Sequence, residues 1–286
     1  MPAGAARGPR LVSDWSTQPA PLERRLLTVL ENERMGAYRV LRVADVETPE
    51  PRPGQFAMLA AAKRWGGGED ERPYLARAFS VARRRIGESH FLLEDVGPGT
   101  NRLCELGAGD GLWALGPLGN GFSPPPPRLR AVLVGGGVGI APLAILQDTL
   151  EAESDCEISV LLGFRDRDRA EGSALLRGAQ IATDDGSVGH HGLLTDLLVR
   201  ELERDARAIV YACGPAPMLE AVRALCAEAQ VQAQLALEAG MACGFGACYG
   251  CAVPKRGGGY LRVCLDGPVI DAEELERVDE HAGSPA

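Results

Sequence analysis

The chain has 286 residues, 45% of them hydrophobic and 24% charged, with a formal net charge of -9. That length points to two or three domains with real cores, and the acidic balance argues against a nucleic-acid partner, which favours a basic face. The eight cysteines are too few and too clustered for a secreted disulfide framework and suit a reduced, cytoplasmic setting.

Residues 1–21 are rich in Ala, Gly, Pro and Arg and contain no apolar core, so they read as a disordered tail and neither a signal peptide nor a membrane span. From 22 to 123 the sequence reads as short strands, at Ala37–Val43, Gln55–Leu59, Ala78–Arg84 and His90–Val96, with Ile86-Gly87-Glu88-Ser89 as a hairpin connection. Strands so closely spaced predict a small antiparallel barrel.

Two stretches of this unit look chemical. Arg77-Ala78-Phe79-Ser80 opens a strand whose alternation puts Arg77 and Phe79 on one face and Ala78 and Ser80 on the other. Val96-Gly97-Pro98-Gly99-Thr100 is a glycine turn, and a helix opening at Thr100 would aim its first amides at an anion. An arginine fork with such a turn suits a pyrophosphate. Each stretch also fits an ordinary edge strand or turn.

Ser123 and the prolines at 124–127 cannot continue a helix or central strand, and the boundary to a second unit, 128–232, is placed there. Leu129–Val134 reads as a buried strand running into Gly135-Gly136-Gly137-Val138-Gly139-Ile140-Ala141-Pro142, with a helix after it carrying Leu143, Leu146 and Leu150. The run Ala131–Leu146 is too short, and too broken by four glycines and a proline, for a membrane span. Strand, glycine turn and helix form the phosphate-binding unit of a doubly wound fold, although Pro142 stands where the strict pattern has its last glycine. Further strands are expected at Glu157–Leu162, Gln180–Thr183 and Ala208–Ala212, the last leading into Cys213-Gly214-Pro215 and a helix from Met218 to Ala229. Whether the nucleotide is NAD or NADP is assigned to the loop after Leu162. Gly163-Phe164-Arg165-Asp166-Arg167-Asp168-Arg169 offers both the arginines a 2′-phosphate needs and the acids a free hydroxyl needs, so composition does not decide.

The last unit, 233–275, carries Cys243-Gly244-Phe245-Gly246-Ala247-Cys248-Tyr249-Gly250-Cys251 and a distant Cys264, before a tail at 276–286. Three thiols at x4 and x2 spacing followed by a fourth match the plant-type [2Fe–2S] pattern, with Cys243, Cys248, Cys251 and Cys264 as ligands. A structural zinc site usually takes two CxxC-like pairs, and only Cys248 and Cys251 form one.

Arg-x-aromatic-Ser, Gly-x-Gly-Thr and Gly116-Pro117-Leu118-Gly119-Asn120-Gly121-Phe122 resemble the flavin-binding barrel of the ferredoxin–NADP reductase superfamily. The last string, Thr183-Asp184-Asp185-Gly186-Ser187 and Cys264-Leu265-Asp266-Gly267-Pro268-Val269 resemble the electron-transfer subunits of B-type dihydroorotate dehydrogenases. The resemblance implies three parts: an antiparallel β-barrel flavin domain, an α/β doubly wound nucleotide domain and a small C-terminal [2Fe–2S] segment. It implies that Arg77, Ala78, Phe79 and Ser80 bind FAD, that Leu92, Leu93 and Glu94 line it, and that Gly99 and Thr100 hold its pyrophosphate. Gly135, Gly136, Gly137 and Gly139 would take the nicotinamide nucleotide, with Cys213 and Gly214 where nicotinamide meets flavin, and NAD as that nucleotide. Relatives often carry a base where Glu94 stands. An acid beside a diphosphate is unfavourable, so Glu94 is expected to meet FAD by backbone or to point away. The implied partner is a separate FMN-binding dihydroorotate dehydrogenase catalytic subunit in a heterotetramer, with electrons passing through the cluster to FAD and then NAD. No catalytic side chain is expected. Reductase subunits for ferredoxin or for a sulfhydrogenase, and reductases of ring-hydroxylating oxygenases, share these modules. In the ferredoxin type an aspartate tends to replace the first cysteine, which weighs Cys243 against it.

Overall fold

The computed structural model describes residues 23–66 and 73–278, so the expected tail at 1–21 and the end of the chain from 279 lie outside the described residues. The first part is a closed antiparallel barrel. It contains β1 (Arg24–Met35), β2 (Tyr38–Ala44), β3 (Phe56–Ala61), β4 (Arg77–Arg85), β5 (Glu88–Glu94) and, after the short helix α1 (Pro98–Cys104), β6 (Gly111–Leu118). Its strand order is β1-β2-β5-β4-β3-β6, so every strand edge is paired. Alternation works as expected for a half-buried barrel at Leu41 and Val43 of β2, which face the barrel core, while Tyr38 is buried on the other face against the second part.

Three sequence expectations are corrected here. The barrel has two strands more than the four expected, β1 and β6. β1 escapes because only Leu27 and Val29 of its twelve residues are buried, and the rest is charged or polar apart from Leu26, Leu30 and Met35. The β4–β5 hairpin turns on Ile86-Gly87 alone, with Arg85 opposite Glu88 and Arg84 opposite Ser89, so Glu88 and Ser89 belong to the strand. Helix α1 opens at Pro98, two residues before Thr100, because proline is well suited to the first helical turn.

The second part is a seven-stranded sheet. It consists of β7 (Arg130–Gly136), α2 (Ala141–Glu153), β8 (Ile158–Phe164), α3 (Arg167–Ala170), β9 (Ala179–Thr183), β10 (His190–His191), α4 (Leu194–Arg204), β11 (Ala208–Cys213), α5 (Ala216–Glu228) and β12 (Gln232–Ala236). After the hairpin β13 (Ala252–Pro254) and β14 (Tyr260–Arg262), β15 (Val269–Asp271) returns to complete it. The order is β10-β9-β8-β7-β11-β12-β15, parallel throughout except for β15. β7 and β11 are buried along their whole length, as central parallel strands require. One sheet face packs on α4 and α5 through residues such as Leu198, Val210 and Val222, the other on α2 through Leu133, Leu143 and Leu146. β12 beyond its first residue, and all of β15, fall in 233–275, the expected cluster unit, so that unit is woven into the sheet.

The joints between the parts are built from side chains. Phe122, at the end of the barrel, meets Tyr211 of β11 edge to face at 5.4 Å, and the Tyr211 hydroxyl donates to the Ser123 carbonyl at 3.0 Å. The β1–β2 turn docks on α3, where the Ala37 amide donates to the Asp168 carbonyl at 3.2 Å. Tyr38 lies against Gly172, where a Cβ would come within 2.8 Å of its ring. At the other end the Val278 amide donates to Glu220 of α5 at 2.8 Å, fixing the first residues of the expected C-terminal tail.

Candidate cofactor cleft and cysteine loop

A cavity of about 300 Å³ opens where barrel, sheet and cysteine segment meet. The barrel contributes Phe56, Arg77, Ala78, Phe79, Ser80, Leu92 and Thr100, the glycine turn Val138 and Gly139, and the sheet Cys213 and Ala236. The remaining wall is Leu237 to Met241, the segment that leads straight into Cys243, together with Pro268. All four residues of 77–80 line the cavity, so the expected division of that strand into two faces does not separate them.

Arg77 and the glycine turn come together as a clamp. A Cβ on Gly99 would fall 2.6 Å from Arg77 Nε, so the turn and the guanidinium lie directly against each other. Thr100 serves its own turn: its hydroxyl accepts from the amides of Val96 (2.9 Å) and Gly97 (3.0 Å). Leu93 is fully buried in the barrel core and does not line the cavity, while Leu92 does. Glu94 turns to the nucleotide part, where Arg169 Nε and Nη2 each lie 3.0 Å from its Oε1. These contacts also speak to the loop after Leu162. Arg169 is held by Glu94 and by Asp166, which caps α3, and Arg167 donates to the Ser187 carbonyl at 2.6 Å. Two of the loop's three arginines are thereby engaged by protein groups.

The glycine turn is tight for a packing reason. A Cβ on Gly139 would lie 2.4 Å from the Cys213 carbonyl oxygen, and one on Gly136 2.6 Å from Met218 Sδ. Gly135 sits among Leu143, Ile140 and Leu162, and Gly214 against Met218 and Gly136. Gly137 differs: it takes φ 55° and faces open space, as backbone that meets a ligand must. An apolar wall, one arginine and an open glycine turn fit a dinucleotide and a flavin lying together in the cleft.

One cavity residue escapes any sequence pattern. Glu238 is the carboxylate in the lining, with no side-chain partner among the described residues. Its surroundings raise its pKa by desolvation first and by the nearby Glu94 second. Burial, and then Glu238, push the Cys213 thiol well above its usual range, so it sits there as a neutral group.

The cysteine loop, 243–251, has neither helix nor strand. It packs on the barrel at Gly244, where φ is 80° and a Cβ would strike Met58 of β3 at 2.5 Å. The thiols pair two and two. Cys251 Sγ and Cys264 Sγ lie 3.2 Å apart, and the Cys248 thiol hydrogen-bonds to Cys243. Backbone amides converge on them, from Gly246 to Cys264 Sγ at 3.1 Å and from Phe245, Cys248 and Ala247 to Cys243. Burial acts to raise the Cys243 pKa, but those amides bring it down to about 6. Burial, with Cys251 beside it, pushes Cys264 up to about 12. Two thiol pairs with amides aimed at sulfur fit a cluster in which each of two irons takes two thiolates. Among the described residues no group of three or more His, Cys, Asp or Glu converges on a single ion.

The Gly116–Phe122 string also finds its use. Asn120 donates from its amide side chain to the carbonyls of Leu265 (3.2 Å) and Asp266 (3.1 Å), just after the fourth cysteine. The Asn120 backbone amide donates to the Gly267 carbonyl, and Gly119 leaves room for that contact. The barrel thus holds the turn that presents Cys264.

Comparisons agree with this geometry. Residues 238–276 match the family described as the iron–sulfur cluster binding domain of dihydroorotate dehydrogenase B, and residues 133–224 the oxidoreductase NAD-binding domain. The electron transfer subunit of dihydroorotate dehydrogenase B (NAD(+)) from Caldanaerobacter subterraneus subsp. tengcongensis is 38% identical over 251 residues, spanning 86% of this chain and 96% of that one. A probable subunit of the same description from Methanopyrus kandleri is 36% identical over 91% of this chain and 93% of its own. Among solved structures, the NADH-dependent reduced ferredoxin–NADP oxidoreductase aligns with TM-score 0.76 at 26% identity, over 88% of this chain and 90% of its own. The ferredoxin reductase of carbazole 1,9a-dioxygenase shares the fold, with TM-score 0.63 at 21% identity over 73% of this chain and 66% of its own. The chain belongs to the family of dihydroorotate dehydrogenase B (NAD(+)) electron transfer subunits.

Proposed function

We propose that this protein carries electrons from a dihydroorotate-oxidising, FMN-binding catalytic subunit to NAD+, through a [2Fe–2S] cluster and FAD, in pyrimidine biosynthesis. The observation that carries the reading is the single wall Leu237–Met241, which lines the cavity with Arg77–Ser80 and Gly139 and continues directly into Cys243. In this reading residues 22–123 hold FAD, 128–232 NAD and 233–275 the cluster.

When bound, FAD exchanges electrons singly with a cluster and in pairs with a nicotinamide, which makes it the necessary middle member. The protein's own part is placement. Arg77 binds the diphosphate, with Gly99 giving the turn its close approach. Ala78, Phe79, Ser80 and Leu92 wall the ring. Gly137 and its neighbours receive the second nucleotide, and Cys213 with Gly214 bounds the space where the two rings meet. Leu93 supports the wall from the barrel core, and Glu94 acts at a distance by fixing Arg169. Cys243, Cys248, Cys251 and Cys264 ligate the irons. No described helix is long and apolar enough to cross a membrane, and a cytoplasmic heterotetramer with the catalytic subunit is the setting proposed.

The test is to mix the protein with a candidate catalytic subunit and follow dihydroorotate-dependent NAD+ reduction. Coupled reduction that needs both components supports the reading. Diaphorase activity with NADH but no coupling to any dihydroorotate-oxidising subunit removes it.

A further inference from the structure

The nine residues Cys243–Cys251 carry no charged side chain, so any fixed charge acting on the thiol loop comes from outside it. Arg262, the last residue of β14, supplies one. Its Nη1 lies 3.4 Å from the Gly246 carbonyl oxygen and 3.5 Å from the Tyr249 hydroxyl, and its guanidinium carbon is 5.1 Å from the Tyr249 ring centre. Tyr249 holds φ 59°, unusual for a residue with a side chain, and that backbone turn keeps its ring beside the arginine.

Gly246 is tied to the thiols by its own amide, which donates to Cys264 Sγ at 3.1 Å, so the residue that meets Arg262 is also one that meets a ligand sulfur. A cation anchored on its carbonyl is therefore anchored to the thiol loop, and acts on it in a medium of lower dielectric than water. Arg262 thus stands over the loop as a fixed charge. Asp266 opposes it, with a carboxylate oxygen 3.6 Å from Arg262 Nε and 2.7 Å from the Arg262 amide nitrogen. The β13–β14 connection carries two further cations, Lys255, which is paired with Glu274 at 3.0 Å, and Arg256.

Resting on the reading that the four cysteines hold a [2Fe–2S] cluster, we propose that Arg262 is a positioning residue that raises the cluster's reduction potential, and that Asp266 limits the rise. The step it governs is the gain of one electron by the oxidised cluster from the partner side and its loss to FAD, with no bond made or broken. Adding negative charge to a loop held beside a fixed cation favours the reduced form.

The experiment is an anaerobic redox titration of the full-length protein, followed by the electron paramagnetic resonance of the reduced cluster, with iron and sulfide measured on each sample. R262Q should shift the reduced-to-oxidised ratio at fixed potential about tenfold toward oxidised, a fall of about 59 mV for one electron. R262K should fall less, because it keeps the charge but not the planar contact with the peptide oxygen, and D266N should shift the ratio the other way. R262Q that keeps wild-type iron and the wild-type midpoint overturns the proposal. Should R262Q lose iron, D266N decides, and a midpoint unchanged or lower in D266N overturns it equally. A wild-type protein that holds no cluster would instead sink the underlying reading, an outcome the iron and sulfide assays separate from the other two.

Discussion

The cysteine loop and the glycine turn both bring backbone up to a cofactor, yet they are built in opposite ways. Residues 135–139 are packed into the sheet, and every glycine there but Gly137 is pressed against a neighbour. Residues 243–251 lie outside any regular element and leave Phe245 42% and Tyr249 63% exposed. The turn therefore draws its shape from packing along its length, whereas the loop is anchored at Gly244, Gly246 and Cys251 and leaves residues 247–250 exposed. The general lesson is that a phosphate site is prepaid by packing, and a cluster site is completed by its metal.

The largest expected effect breaks the two apart. C248S should abolish the [2Fe–2S] signal and dihydroorotate-dependent NAD+ reduction, yet keep NADH-to-dye activity through FAD. Hydrogen exchange would then rise in 243–251 and stay unchanged in 135–139. Loss of both activities would mean that the loop is structural for the flavin site as well.

Next comes the converse substitution. G139A should destabilise the whole protein by about 1–3 kcal/mol, because its Cβ meets the backbone of Cys213 and Gly214, which cannot swing away. Denaturant unfolding checks this. An unchanged midpoint would show that the turn is looser than its contacts imply.

A smaller effect is expected at the barrel–sheet joint. R169Q removes the partner of Glu94 from a pair that is partly open to solvent, with side-chain exposures of 30% and 19%, so it should cost no more than about 1 kcal/mol. The ratio of NADPH to NADH use should not change with it, and a selective fall in NADPH use would assign Arg169 to the nucleotide.

The smallest effect concerns pH. Glu238 has its pKa raised in the folded state by desolvation and by Glu94, so the folded state binds its proton more tightly than the unfolded chain. Its contribution is then favourable at acid pH and is lost as pH rises through the folded value. E238Q should raise the melting temperature of the cofactor-free protein at neutral pH, and the gain should vanish on acidification below the ordinary carboxylate range. A gain independent of pH would point to packing.

How much of this was legible in the sequence follows from the same contrast. The four cysteines could be read because metal chemistry fixes residue type and spacing directly. β7 and α2 could be read because a fully buried strand and a leucine-spaced helix leave plain patterns. β1 could not, since a barrel strand facing solvent along most of its length looks like a polar loop, and β6 was masked by the Gly116-Pro117 within it. Glu238 carries no pattern at all: it is an exposed side chain on the cavity lining, and only the fold brings it near Cys213 and Glu94. The purpose of Asn120 was hidden for the same reason: its partners lie 145 and 146 residues away. Conversely, Gly99 and Gly139 were assigned to cofactor contact, and packing against Arg77 and Cys213 is a second reason for both.

The most direct test of the account is iron and acid-labile sulfide analysis of the anaerobically purified protein, with electron paramagnetic resonance after dithionite reduction. Two irons and two sulfides per chain and a rhombic signal, expected of a [2Fe–2S] centre with four thiolates, are predicted. Protein that carries FAD but neither iron nor sulfide, even after reconstitution, would contradict it.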